Sequence, residues 1–279
     1  MDSFGPLCSA EWLREHLDDP DLRVIDLRWY LDGRSGLDAY QRGHIPGAVF
    51  VALEGEITGT LEGRGRHPLP ERDAFQGAMR AAGVRTASRV VVYDDLSGMV
   101  AGRLWWLLHY FGHERVAVLD GGLDAWLGEL EQTPATPPSG DFEAAPPAIE
   151  RKLDYEGVGS LPAGSVLLDA RAGDRFRGEH EPVDPRAGHV PGAKSAPFAG
   201  NLDAEGRFLP ASSLRRRFEV LGVRSGDDAV VYCGSGVSAC HDLIALELAG
   251  FPGARLYPGS WSDWSRRPDA AVETGAGDD

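Results

Sequence analysis

At 279 residues, with 42% hydrophobic and 25% charged residues, the chain has the length of two ordinary domains and a globular composition, which excludes a disordered chain or a fibre. Its formal charge of −15, from 28 basic and 43 acidic residues, repels nucleic-acid phosphates, and no apolar run is long enough for a membrane helix. Three cysteines without a Cys-x-x-Cys pair argue against a disulfide scaffold or a cysteine zinc site, and for a reducing, cytoplasmic setting.

The N-terminal stretch MDSFGPLCSAEW lacks the charged-then-apolar pattern of a secretory signal. VIDLRWY follows near residue 26, then the turn sequence GHIPGA at 43–48. RVVVY (89–93) and RVAVL (115–119) are almost wholly apolar, as strands covered on both faces require. Between them GRLWWLLHYFG (102–112) has helical spacing and ends at glycine, the preferred residue just past a helix C-terminus. LDGGLDAW closes this half at 119–126.

EQTPATPPSGDFEAAPPAIE (131–150) holds five prolines and no apolar periodicity, so it reads as an extended interdomain linker. Beyond it the pattern returns: SVLLD (165–169), GHVPGA (188–193), AVVYC (229–233), the helical CHDLIALELAG (240–250) and GSWSDW (259–264). A shift of 138 superposes Val92 on Val230, Gly98 on Gly236, Gly121 on Gly259 and Trp126 on Trp264 without a gap. The chain is therefore read as a duplication. Residues 1–133 form one α/β domain and 151–279 a second, with 134–150 as linker and PDAAVETGAGDD as a loose tail. Strand–helix alternation predicts a mostly parallel sheet with helices on both faces in each half.

The segment Tyr232-Cys233-Gly234-Ser235-Gly236-Val237-Ser238-Ala239 carries the most chemistry. It places Cys233 at the C-terminal end of a strand, where open α/β sheets hold their ligands. Small residues let the loop curl so that several N–H groups converge, and the next helix adds its positive end. Both features stabilise a thiolate, the nucleophilic form of cysteine. The shift of 138 puts Asp95 in the first half at the place of Cys233, so one half keeps the thiol and the other is catalytically inactive.

With GHIPGA, GHVPGA, DGG at 120–122 and the Cys233 loop, the sequence resembles the tandem-domain sulfurtransferases of the rhodanese family over nearly its whole length. CGSGVSA followed by GSWSDW is most similar to the 3-mercaptopyruvate branch; the thiosulfate branch has basic residues directly after the cysteine. The resemblance implies two tandem rhodanese-like domains and a Cys233 persulfide that takes sulfur from a small anionic donor. The acceptor would be a thiol, thioredoxin or cyanide, with no metal or organic cofactor. Arg175 matches the family's substrate-binding arginine, with Arg177 and Arg186 in the same segment. The branch's second arginine, expected after Glu181-Pro182, is replaced by Val183, which leaves Arg186 as a substitute. Gly234, Gly236, Val237 and Ser238 supply the substrate-binding loop. Ser235 matches a serine that works with a histidine and an aspartate on the proton of the leaving enolate.

His44 of GHIPGA is matched to that histidine, against the alternative that it only pins its turn, as His189 does in the second half. The orienting carboxylate does not align cleanly: Ser35 stands at the expected place, with Asp32 and Asp38 nearby. Cys240 is either a resolving thiol or a core residue, and the tryptophans read as core anchors. Two rival readings are a phosphatase, which needs an arginine where Ala239 stands, and a non-enzymatic module that binds sulfane sulfur.

Overall fold

The computed structural model describes residues 4–60 and 65–276. Five strands form the first sheet: β1 (Leu7–Cys8), β2 (Leu22–Asp26), β3 (Val49–Phe50), β4 (Arg89–Tyr93) and β5 (Val116–Leu119). They pair wholly in parallel in the order β1-β5-β4-β2-β3. The second sheet pairs β6 (Val166–Asp169), β7 (Lys194–Ser195), β8 (Ala229–Tyr232) and β9 (Arg255–Leu256), again in parallel, as β7-β6-β8-β9. The doubled α/β fold is as expected; the run 89–93 forms the strand predicted for it, and the run expected at 229–233 forms a strand that ends one residue earlier, at Tyr232. Among the described residues no helix is long and apolar enough to cross a membrane.

Every residue of β8 is buried, as is every residue of the helix Ala101–Tyr110, so both sit deep in their own layers. Trp105 and Trp106 are fully enclosed core anchors, and Trp261 packs with Tyr232, Phe176 and Tyr257 in the second core. Burial of each such side chain contributes about 1.5–3 kcal/mol or more.

The two halves repeat each other in polar detail. Asp26 grips Arg28, whose Nη2 donates to Gly43 O at 2.8 Å; Asp169 grips Arg171, whose Nη2 donates to Gly188 O at 2.7 Å. Tyr93 pairs with Asp26 in the sheet register and its hydroxyl accepts the Ile45 N–H; Tyr232 pairs with Asp169 and accepts from Val190. Tyr93 thus corresponds to Tyr232, an offset of 139, whereas Trp126 and Trp264 keep an offset of 138. The first loop is one residue longer. The ungapped superposition is corrected accordingly: Asp94, not Asp95, corresponds to Cys233.

The boundaries also differ from those read off the sequence. One compact unit comprises Met1–Gly59, Leu69–Ala148 and Ala204–Arg207; the other comprises Thr60–Pro68, Ile149–Asp203 and Phe208–Asp279. Thr60–Pro68, from the first half of the sequence, belongs to the second unit. The proline-rich stretch is extended but not free. Phe142 inserts into the first core beside Phe75, and Gly140, Phe142, Ala145 and Ala148 donate backbone hydrogen bonds to residues of that unit. The expected loose tail is tied down as well: Glu273 pairs with His189 through both backbone groups, and its carboxylate accepts the Gly192 N–H. Residues 277–279 lie outside the described part.

Candidate active site

Cys233 follows the last residue of β8, and the loop it opens turns into the helix Ala239–Leu248. The residue is 2% exposed. Gly236 N–H donates to Cys233 Sγ at 3.1 Å, the contact that stabilises negative charge on sulfur. Gly236 has φ +76°, and a Cβ there would meet Pro258 O at 2.6 Å, so only glycine brings this N–H onto the sulfur. Val237 O and Ser238 O accept the first helical N–H groups, from Cys240 and His241, which ties the loop to the helix.

The other side of the loop is held by the segment 257–262. Cys233 O and Gly234 O accept the N–H groups of Trp261 and Ser262, and the Cys233 N–H donates to Ser260 Oγ at 3.1 Å. Ser260 is one of two non-glycine residues with positive φ (+53°) among the described residues. Its counterpart in the first half is Gly122, at φ +60°. A serine in this conformation costs about 1–3 kcal/mol, and its hydroxyl holds the backbone at Cys233. The sequence reading missed Ser260. The signal available was the pairing of DGG with PGS, glycine against serine, in the repeat.

Ser235, 7% exposed, lies with its Oγ 2.8 Å from Nδ1 of His67, itself 3% exposed. In the tautomer that carries its proton on Nε2, Nδ1 accepts the serine hydroxyl proton. The histidine that meets Ser235 is therefore His67, not His44. His44 belongs to the other unit, where its ring stacks on Tyr40 at 3.8 Å and its Nδ1 bonds Tyr40 O. His189 repeats that arrangement on Phe176, with Nδ1 on Phe176 O. Both histidines pin their turns. His67 was missed because it comes from Thr60–Pro68; the signal was a histidine between a glycine-arginine stretch and two prolines, GRHPLP.

Arg175 reaches the loop. A Cβ placed on Gly234 would lie in ordinary contact with its two Nη atoms, at 3.5 and 3.7 Å, and 2.8 Å from Nη2 of Arg66, so both guanidinium groups stand against this glycine and a side chain here would displace the Arg66 tip. Arg175 donates to Glu181 through Nε and Nη2, at 3.2 and 2.6 Å, and to Asp184 Oδ2 at 3.4 Å; Arg66 Nη1 pairs with Asp184 Oδ1. Burial works against ionisation of Glu181, but the Arg175 hydrogen bonds and charge outweigh it and hold the carboxyl below its usual range. Burial pushes the Asp184 carboxyl up in spite of Arg66.

Arg186 is not in this group. Its guanidinium donates to four backbone carbonyls, of Ser265, Ala270, Trp264 and Arg267, and so clamps the chain after the helix Ser260–Trp264. Its fixed donors leave it a structural part, which removes the reason for naming it as a substrate arginine. Arg177 pairs with Glu179 at the surface. Cys240 is fully buried on the helix, its Sγ donating to Gly236 O at 3.4 Å, in keeping with a core position.

A buried strand-end cysteine with a loop N–H on its sulfur and guanidinium groups beside its loop, on a repeated parallel α/β fold, is an arrangement suited to cysteine attack on an anion. The rhodanese-like domain model matches residues 9–129 and 158–267, and the chain belongs to that family. It is 46% identical to a probable 3-mercaptopyruvate sulfurtransferase of Pseudomonas aeruginosa, over 98% of this chain and 99% of that one. It is 42% identical to a putative thiosulfate sulfurtransferase, SseB, of Mycobacterium tuberculosis, over 92% of each. The crystal structure of SseA from Escherichia coli, presented with the mechanism of 3-mercaptopyruvate sulfotransferases, matches at a TM-score of 0.81 and 36% identity, covering 92% of this chain and 99% of that one.

Proposed function

We propose that the protein is a sulfurtransferase that takes the thiol sulfur of 3-mercaptopyruvate onto Cys233 as a persulfide and passes that sulfane sulfur to an acceptor thiol. The observation that carries the donor is the Ser235–His67 hydrogen bond at 2.8 Å. When the Cys233 thiolate attacks the sulfur of mercaptopyruvate, an S–S bond forms, the C–S bond breaks, and its electron pair leaves as the enolate of pyruvate. The enolate carbon then takes up the proton that the mercapto group gives up as the persulfide ionises, and Ser235 with His67 provides the route. Thiosulfate releases sulfite, which needs no such proton. In the second half-reaction an acceptor thiolate takes the outer sulfur and Cys233 leaves as thiolate; with cyanide the product is thiocyanate.

The Gly236 N–H that serves the thiolate also serves the persulfide. Support for the donor class comes from relatives named for mercaptopyruvate and for thiosulfate, both small anions. The three unpaired cysteines suit a reducing, cytoplasmic compartment, where thiols and thioredoxin are available as acceptors. Steady-state transfer from 3-mercaptopyruvate and thiosulfate, side by side, tests the reading. A higher kcat/KM with mercaptopyruvate is expected; thiosulfate as the better donor would reverse the assignment, and no transfer from either would end it.

A further inference from the structure

The Cys233 loop has no basic residue of its own in a chain of net charge −15, yet its donor is an anion. Arg175 supplies one cation. The position after Glu181-Pro182 is Val183, and Arg186 is committed to four carbonyls. A second cation nevertheless stands at the loop, from a segment distant in sequence. Arg66 Nη2 would lie 2.8 Å from a Cβ on Gly234, nearer than either Nη of Arg175.

We propose that Arg66 is the second donor-binding arginine, gripping with Arg175 the carboxylate of the donor while the donor's sulfur faces Cys233; this rests on the functional reading above. Three observations bear on it. First, a single carboxylate, Asp184, bridges the pair, Oδ1 to Arg66 and Oδ2 to Arg175. The two guanidinium groups are therefore already held together before an anion arrives, which removes most of the ordering cost of binding. Second, Arg66 Nε is buried and has no hydrogen-bond partner among the described residues, and the side chain retains 22% exposure, so the group is anchored on one edge and has donor capacity left.

Third, the cations outnumber the acids at the loop. Arg66, Arg175 and Arg266 face Glu181 and Asp184, while Arg171 is matched by Asp169 as well as touching Glu181. The balance suits one further negative charge. The local backbone fixes the aim: the Arg66 N–H donates to Ser262 Oγ, Ser262 donates its own N–H to Gly234 O, and the next residue, His67, meets Ser235. One dipeptide thus brings the anion grip and the proton route to the same loop. The donor class it selects is a thiol or sulfane sulfur a few atoms from a carboxylate or sulfonate.

The test is kinetics of Arg66→Ala and Arg66→Lys with 3-mercaptopyruvate, together with inhibition by pyruvate. Loss of a charge-assisted pair is expected to raise KM and the pyruvate Ki together by about 10- to 100-fold in Arg66→Ala, with kcat within about threefold of wild type. Lysine keeps the charge but not the fork, and recovers only part of the loss. Should the alanine variant fail to fold, Arg66→Lys is read alone, with a raised KM and Ki expected. A folded variant with wild-type KM and Ki overturns the proposal. A fall in kcat at unchanged KM overturns it too, and makes Arg66 a residue that positions His67. Wild-type protein that transfers no sulfur from either donor defeats instead the functional reading on which it rests.

Discussion

Asp94 and Cys233 directly follow equivalent strands, β4 and β8, and the side chain of each accepts backbone N–H from the loop it opens, Cys233 from Gly236. Asp94 takes four: Leu96 and Gly98 on Oδ1 at 2.9 and 2.8 Å, Val100 and Ala101 on Oδ2 at 2.6 and 2.8 Å. Burial pushes its carboxyl above the usual range, and those four N–H groups oppose the push. The first loop thus closes around a fixed carboxyl group. In the second loop that place is taken by the sulfur of Cys233, with the Gly236 N–H on it. The same strand-end position carries a carboxyl in one half and a thiol in the other, and what separates the halves is that side chain, one residue of loop length and the groups around it.

The largest effect should come from trying to exchange the two roles. Cys233→Ser is expected to reduce sulfur transfer by about 10⁴-fold or more, and adding Asp94→Cys should not restore it. Asp95 directly follows position 94, where the second half has Gly234, and its carboxylate repels an anionic donor. Recovery of transfer in the double variant, measured with either donor, would mean that the thiol alone distinguishes the halves.

Next in size is the proton route. Ser235→Ala and His67→Asn should each lower kcat with 3-mercaptopyruvate by about 10²- to 10⁴-fold, while thiosulfate turnover changes little. An equal loss with both donors would assign the pair to holding the loop. Ser260→Gly makes the second half resemble the first, with its Gly122. Relief of strain offsets the lost hydroxyl bonds, so the melting temperature should change little, while kcat falls by about tenfold as the Cys233 backbone loosens. Unchanged kcat would deny Ser260 its positioning role.

The smallest effect concerns pH. Asp242 stands on the second-half helix Ala239–Leu248 where the first half has Leu104, and burial raises its pKa to about 7. Asn201 Nδ2 donates to its Oδ1 at 2.6 Å, and its Oδ2 is buried without a hydrogen-bond partner among the described residues. The unfolded chain ionises this group first, so the folded state loses stability as pH rises toward about 7 and then levels off. Melting temperatures across this range should fall in wild type relative to Asp242→Asn. Parallel curves would remove Asp242 from the account.

Much of this contrast could be read from the chain. Apolar runs such as RVVVY fix their strands because both faces are covered, and the small residues after Cys233 betray a curled loop. Arg175 was singled out by its match to the family's substrate-binding arginine. Arg66 and His67 were not, because they belong to the second unit although their sequence lies in the first half; periodicity says nothing about such an exchange. The one-residue offset at Asp94 is hidden for a related reason. Two acidic residues stand side by side, and only the pairing of Tyr93 with Asp26, matched by Tyr232 with Asp169, shows which one ends the strand. The tail and the proline-rich stretch lack periodicity yet are fastened by backbone bonds that no residue pattern announces.

The account turns on sulfur being carried by Cys233 and then released. Intact-mass measurement after brief exposure to 3-mercaptopyruvate should show a gain of about 32 Da in wild type and none in Cys233→Ser, and the gain should vanish on adding an acceptor thiol. A gain that survives in Cys233→Ser, or one that no acceptor discharges, would contradict it.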